Sequence, residues 1–183
     1  MKKIALATLL SVASAMAFAG SATIEYQGAN GVDGGADQRA VELVVRENVT
    51  KTLVGDINFN TTQTDNSKAL SSRIEAGLTP SFGIGVGSGY VRVAAGQKFS
   101  NGSDFTYYSI EPGVSLPVGP VTAKVGYRYR SAFDASANGD QTHTARLGVS
   151  YALSKVESVG VGFDRVRGDT KQDVWKFAYT RGF

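Results

Sequence analysis

The 183-residue sequence contains no cysteine, a single histidine and only four prolines. The absence of cysteine excludes disulfides, zinc–thiolate sites and a reactive thiol, so the stability of the fold has to come from its architecture. One histidine among scattered carboxylates does not provide a metal-ligand set, and we expect neither a metal nor another cofactor. Because no proline-rich or serine-rich linker divides the chain, we expect a single domain.

The sequence also lacks a block of like charges. Its formal net charge is +3, and Lys2 and Lys3 contribute two of the positive charges at the N-terminus. Without them, 17 Lys and Arg residues oppose 16 Asp and Glu residues. This near balance gives no argument for a nucleic-acid partner.

The first 19 residues have the order of a secretory signal. Two lysines are followed by an apolar run over residues 4–12 and by the small-residue site at Ala17-Phe18-Ala19. The apolar run is shorter than the ~20 residues that a transmembrane helix needs. We therefore predict export by the Sec pathway and removal of residues 1–19, with cleavage after Ala22 as the alternative. The predicted mature domain covers residues 20–183.

Apolar and polar residues alternate with period two in one segment after another, which predicts β-strands. The last segment is the clearest, because Trp175, Phe177, Tyr179 and Phe183 share one face and Lys176 begins the opposite face. In a soluble sheet the aromatic face would form the core. In a membrane barrel it would face lipid, and the polar face would line the lumen. Periodicity alone is compatible with both.

The same periodicity predicts ten strands, with eight or twelve as the alternatives. They cover residues 22–28, 39–47, 52–61, 69–79, 84–99, 106–116, 121–131, 144–153, 159–167 and 174–183. The fifth strand changes parity between Val86 and Val91, for which we predict a bulge at Gly87 and Gly89. We expect another bulge at Pro112, because proline cannot donate to the ladder.

Two kinds of connection alternate along the chain, as an up-and-down barrel with both termini in the periplasm requires. The shorter ones lie near residues 48–51, 80–83, 117–120 and 154–158, and the ones richer in Asn, Asp and Gly lie near residues 29–38, 62–68, 100–104, 132–141 and 168–173. The predicted fold is a single all-β, up-and-down antiparallel transmembrane β-barrel. A soluble sandwich or lipocalin-like barrel is the alternative fold.

The final strand, with Trp175, Phe177, Tyr179 and Phe183 on one face, resembles the C-terminal strand that Gram-negative outer-membrane proteins present to their assembly machinery. Arg181 departs from that pattern, which usually has an apolar residue there. The segment Lys124 to Arg130 and the single domain resemble small porin-like proteins, with a fainter similarity to oligogalacturonate-specific porins. The resemblance implies an outer-membrane location and the barrel assembly machinery as a partner.

The predicted inward face carries eight cations and six carboxylates. These lumen residues are Glu25, Glu42, Arg46, Asp56, Arg73, Glu75, Arg92, Glu111, Lys124, Arg128, Arg130, Arg146, Asp164 and Lys176. One interpretation is a polar core of paired charges that fills the barrel, because unpaired buried charges are costly. The other is a wet, slightly anion-favouring path.

The path would depend on one group of cations and one group of glycines. The cations are Arg73, Arg92, Lys124, Arg128, Arg130 and Arg146. The inward glycines that would leave room are Gly77, Gly96, Gly113, Gly126, Gly148, Gly160 and Gly162. About eight strands give an interior that side chains just fill, whereas open porins have about 16 or more. Ten strands therefore allow only a thin channel.

Two further groups lie near the predicted outer rim. Arg165 and Arg167 fall on the lipid-facing parity, where they could contact lipopolysaccharide phosphates. His143 lies near Asp134 and Asp140 in sequence, which is a weak hydrolase signal, because no spacing fixes a nucleophile, a base and an orienting group together.

The sequence thus favours a non-enzymatic, monomeric outer-membrane barrel that acts as a narrow passive channel for small polar or anionic solutes. A closed barrel with a structural or adhesive role is the alternative, and a rim-located lipid or peptide hydrolase is the less favoured one. The expected surroundings are outer-membrane lipid and lipopolysaccharide.

Overall fold

The computed structural model describes residues 20–33, 35–65, 67–100 and 104–183. The predicted signal over residues 1–19 lies outside the described residues, so its cleavage stays a prediction. The described chain forms ten β-strands: β1 (Gly20–Gly31), β2 (Gln38–Asn48), β3 (Leu53–Thr64), β4 (Leu70–Ile84), β5 (Gly87–Ser100), β6 (Phe105–Val118), β7 (Val121–Ala132), β8 (Thr142–Ala152), β9 (Glu157–Gly168) and β10 (Gln172–Gly182).

Every strand pairs antiparallel with its neighbours in sequence, and β1 pairs with β10 to close the sheet. The closing pair runs from Ser21 opposite Gly182 to Gly31 opposite Gln172. The predicted ten-strand, up-and-down barrel is therefore confirmed. No helix among the described residues is long and apolar enough to cross a membrane.

The strands are staggered as well as closed. A path that steps from each residue to its partner on the next strand returns to β1 about 12 residues from its starting point. This stagger goes with a strand tilt of roughly 35–45°. Closure leaves no free sheet edge, so all ten strands find partners on both sides. A chain without disulfides obtains its stability from this continuous ladder.

The barrel has two distinct ends. At the turn end lie Gly20, Gly182 and the four connections β2–β3, β4–β5, β6–β7 and β8–β9. The other five connections form the loop end. The two shortest turns each have two residues: Ile84 is joined to Gly87 with Gly85 at φ +57°, and Val118 is joined to Val121 with Gly119 at φ +58°. That left-handed conformation favours glycine.

Both predicted bulges are wrong. Residues of β4 and β5 keep one register from Ser71 opposite Ser100 to Ile84 opposite Gly87, so no extra residue is inserted at the glycines. Ile84 ends β4 instead of starting β5, which explains the change of parity.

Pro112 leaves a gap in the β6–β7 pairing rather than a bulge. Ile110 pairs with Tyr129 before the gap and Gly113 pairs with Gly126 after it, so the register is unchanged. The missing proline N–H removes a hydrogen bond from the ladder without shifting it.

Burial is inverted relative to a soluble protein. Fully buried apolar side chains are few and mostly small, whereas Glu75, Asn60 and Asp56 are at least 93% buried. Large apolar residues lie on the outside, as with Ile57 at 56% exposure and Phe177 at 57%. A surface of this kind requires an apolar surrounding.

Candidate functional site: the barrel interior

All fourteen predicted lumen residues project into the barrel, where they line its cavities or pair with residues that do. Strand alternation brings them together, because each strand contributes every second side chain to the interior. Two further charged residues, Lys98 and Asp140, also lie inside. Tyr107 is completely buried there.

Glu75 joins two arginines from different parts of the barrel. Its carboxylate oxygens lie 2.6 Å from Nη1 of Arg92 and 2.6 Å from Nη2 of Arg128. Arg92 also donates from Nε to Oδ1 of Asp56 at 3.0 Å. The link between Arg128 on β7 and Glu75 on β4 crosses the lumen, since β5 and β6 lie between those strands along the wall.

A second chain of ion pairs follows the other side of the interior. Arg146 binds Glu111 through Nη1 and Asp164 through Nε. Lys176 lies 2.7 Å from Asp164 and 3.4 Å from Glu25. Each cation in this chain therefore contacts two carboxylates.

Gln27 connects this chain to a third group. Its amide nitrogen donates to Glu25 at 2.7 Å and to Glu42 at 2.9 Å. Glu42 accepts from Asn60 and lies 3.5 Å from Arg73. We call these ion-paired groups the charged belt: Glu25, Glu42, Asp56, Arg73, Glu75, Arg92, Glu111, Arg128, Arg146, Asp164 and Lys176.

Near the loop end, Asp140 folds into the barrel from the β7–β8 loop. Its Oδ1 lies 2.7 Å from Arg130 and 3.8 Å from Lys98. The guanidinium of Arg130 also lies 5.4 Å from the centre of the Tyr107 ring. This cluster narrows the lumen at its loop end.

The inward glycines do not all leave open space. An added Cβ at Gly77 would meet the Arg92 guanidinium, and one at Gly96 would meet the Tyr107 hydroxyl. Tyr90 occupies the space beside both Gly113 and Gly126. These four positions give room to large neighbouring side chains, and Gly126 in addition borders a cavity.

The remaining inward glycines border free volume. Gly148, Gly160 and Gly162 line a cavity of about 600 Å³ at the turn end, the turn-side cavity. A smaller cavity of about 180 Å³ lies toward the loop end, the loop-side cavity. Five belt residues line both: Glu42, Arg128, Arg146, Asp164 and Lys176. The charged belt therefore separates the two cavities.

The predicted lipid-contacting arginines lie outside the barrel at the loop end. Both pair with Asp173, at 3.5 Å for Arg165 and 3.2 Å for Arg167. Their neighbours on the same face include the aromatic pair Phe163 and Trp175, whose rings are tilted by 57° with their centres 5.0 Å apart. Contact with lipopolysaccharide stays a prediction.

The hydrolase hypothesis rested on His143 beside acids, and the structure separates these groups. His143 Nδ1 is 2.6 Å from the hydroxyl of Tyr127 on the outer face. Asp140 is buried inside the barrel, bound to Arg130. Asp134 accepts from Ser136 Oγ at 2.7 Å, a hydrogen bond that lowers the pKa of its carboxyl.

The final strand presents its aromatic face outward. Trp175, Phe177, Tyr179 and Phe183 are between 38% and 57% exposed. Arg181, which departs from the usual pattern, lies 3.8 Å from Glu157 at the turn-end rim. Its charge is thus placed at the edge of the apolar face, and the role of this strand in assembly stays a prediction.

Comparison with known proteins gives only structural matches. No protein-family model matches this chain. No curated protein matches it either. Among solved structures, the chain is similar to the KdgM porin, with a TM-score of 0.50, 11% identity, and coverage of 88% of this chain and 99% of that one. The same values hold for the KdgM porin in complex with disordered oligogalacturonate.

A second similar structure is the COG4313 outer membrane channel from Pseudomonas putida F1. The TM-score is 0.54 at 10% identity, and the match covers 91% of this chain and 96% of that one. At such low identity these likenesses show the fold: this chain has the barrel fold of outer-membrane porins and channels.

Proposed function

We propose that the protein is a narrow passive channel in the outer membrane of a Gram-negative bacterium, through which small polar solutes pass with a preference for anions. The observation that carries this proposal is the pair of polar cavities whose walls meet at the charged belt. Only side chains lie between the cavities, and side chains change rotamer far faster than a backbone plug rearranges. A thin water path through the belt is therefore physically accessible.

The outer face supports membrane insertion. Apolar side chains such as Val125, Val161 and Ile24 are more than half exposed, on several different strands. Lipid provides the apolar surrounding that this face needs, while the closed ladder leaves no backbone group unpaired at a sheet edge. The fold shared with outer-membrane porins and channels agrees with this placement.

The interior limits the size of a solute. Ten strands fall between the filled eight-strand barrels and the open barrels of about 16 strands. Ion pairs also cross the lumen between Arg128 and Glu75. We therefore expect passage of ions and small metabolites, and exclusion of long oligosaccharides.

The same ion pairs favour a second candidate function. If the charged belt stays closed, the barrel is a structural component of the envelope that acts through its rim and loops. The observation that favours this alternative is that every belt residue has an ion-pair partner within the described chain, and these pairs would hold the belt closed.

Conductance separates the two functions. The folded protein, verified by heat-dependent migration on a gel, is inserted into planar bilayers in potassium chloride. Discrete current steps that are absent with heat-denatured protein support the channel. Silence from verified folded protein, together with no uptake of a small sugar into proteoliposomes, would favour the closed barrel.

A further inference from the structure

The charge excess of the interior is located at one level of the barrel. The predicted set has eight cations and six carboxylates, and Lys98 and Asp140 add one of each. Within the described residues, all seven carboxylates have ion-pair partners. The two interior cations without an ion pair in this part of the chain are Arg46 and Lys124.

Both cations line the turn-side cavity and both are solvent-accessible there. Arg46 belongs to β2 and Lys124 to β7, strands that lie five steps apart in a ring of ten. They therefore project from opposite walls. Lys124 is within electrostatic range of Arg46, so two like charges face the same water-accessible space.

Among the described residues, the carboxylates near these two cations are already ion-paired with other cations. Asp56, which lies opposite Arg46 in the β2–β3 pairing, is already bound by Arg92. Glu111, the acid that acts on Lys124, is bound by Arg146. Five carboxylates line the same cavity, and each is ion-paired with another cation: Glu25, Glu42, Asp56, Glu111 and Asp164. The two like charges left over from these pairs favour a bound anion, which would relieve their repulsion.

The surrounding groups suit an oxyanion. Arg46 Nη1 donates to Thr23 Oγ1 at 3.0 Å, and Thr23 Oγ1 lies 2.8 Å from Thr180 Oγ1. Further hydroxyls of Thr122 and Ser150 line the same cavity. Guanidinium, ammonium and hydroxyl groups together supply the donors that carboxylate and phosphate oxygens accept.

The volume is also sufficient. The turn-side cavity of about 600 Å³ falls in the range of small-molecule sites, about 300–1,000 Å³. Its open wall consists of Gly148, Gly160, Gly162 and Ala178. These small residues leave space between the two cations instead of filling it.

We propose that Arg46 and Lys124 form an anion-binding site in the turn-side cavity, which takes small carboxylates and phosphates such as succinate and inorganic phosphate. Anion binding at this site does not depend on the proposed channel function. Only the role of the site in ion selectivity rests on that function. The sequence predicts an anion path along six cations, but five of these six are neutralised by carboxylates. Only Lys124 of that group belongs to the proposed site. Selectivity is thus assigned to the turn-side cavity and not to the charged belt.

Binding is tested independently of conduction. Phosphorus NMR line widths of inorganic phosphate are titrated with folded protein in detergent, and calorimetry is used for succinate. We expect saturable binding that weakens about tenfold in Lys124→Gln and is lost in the Arg46→Gln, Lys124→Gln double variant. Lys155→Gln is the matched control, because it removes the same charge from an exposed turn at the same end of the barrel.

Selectivity gives the second measurement. Under a potassium chloride gradient, the anion-to-cation permeability ratio should fall about fivefold in Lys124→Glu and stay unchanged in Lys155→Glu. Glucose, which is uncharged, should not compete with phosphate in the NMR titration.

The outcomes distinguish the two proposals. Absence of phosphate and succinate binding, or equal binding by the double variant, overturns the anion site even if the protein conducts. Binding that depends on both cations supports the site even if the bilayers stay silent, in which case the channel proposal alone fails.

Discussion

Arg128 on β7 and Glu75 on β4 form an ion pair across the lumen, with 2.6 Å between Nη2 and Oε2. Glu75 is also bound by Arg92, and its side chain is only 3% exposed. One carboxylate thereby ties three strands together through a barrel interior whose buried side chains are mostly polar or charged. Removing it would leave two arginines without that partner.

Glu75→Gln should lower the free energy of unfolding by about 3 kcal/mol, because a buried charge loses its partner. The measurement is reversible urea unfolding in detergent. Asp65→Asn is the matched control, since the exposed Arg39–Asp65 pair at 3.5 Å should contribute less than about 1 kcal/mol. Adding Arg128→Met to Glu75→Gln should recover part of the loss. Equal effects of the two single changes would show that the charged belt is not a stabilising element.

Much of the fold was predictable because each strand separates two different surroundings. The period-two alternation of residues such as Arg128 and Tyr127 assigns one to the interior and the other to the surface. The sequence predicts a connection that begins at Pro80 and therefore assigns Ile84 to the fifth strand, whereas Ile84 ends β4. In the structure Pro80 lies opposite Leu53, where β3 begins, so its missing N–H removes little from the ladder.

The site was less predictable than the fold. Lys98 and Tyr107 follow the inward parity of their strands, so the sequence carried a signal for both. Asp140 had no such signal, because a loop side chain is positioned by tertiary contacts with Arg130 and Lys98 rather than by periodicity. Likewise, alternation predicts which cations point inward but not which of them find a carboxylate.

Tyr90 restricts the turn-side cavity. Its ring lies against Gly113 and Gly126, and its hydroxyl donates to Glu111 at 3.3 Å. Tyr90→Ala should enlarge the cavity and raise single-channel conductance about twofold. Tyr151→Ala is the control, because Tyr151 is 49% exposed on the outer face of the same end. Unchanged conductance in Tyr90→Ala would place the narrowest point elsewhere.

A substitution at Gly148 tests the opposite change, a reduction of the turn-side cavity. Its added Cβ would meet only Val161 O at 3.8 Å, and the position lines the turn-side cavity. Gly148→Phe should fill part of the cavity and reduce conductance by about half or more. The same substitution at Gly28, where an added Cβ meets nothing within 4 Å, serves as control. An equal reduction from both changes would point to a general disturbance of the barrel.

His143 and Tyr127 test the hydrolase alternative. Because their 2.6 Å contact lies on the outer face, His143→Ala should leave conductance unchanged and cost about 1 kcal/mol of stability from one lost hydrogen bond. Lipid and peptide cleavage are assayed with the parent protein and the variant in parallel. Cleavage by the parent that disappears in His143→Ala would revive the enzyme hypothesis.

The outer face provides the most direct test of membrane insertion. Val125 is 56% exposed on β7, whereas Ser150 on the adjacent β8 lines the turn-side cavity. In a bilayer, Val125→Arg should cost about 3 kcal/mol, because the charge enters hydrocarbon. Ser150→Arg should cost less than about 1 kcal/mol, because its charge reaches a wet interior. Unfolding from phospholipid vesicles measures both. If the barrel were instead soluble, an arginine on its water-exposed face would be nearly neutral, so Val125→Arg would cost no more than Ser150→Arg.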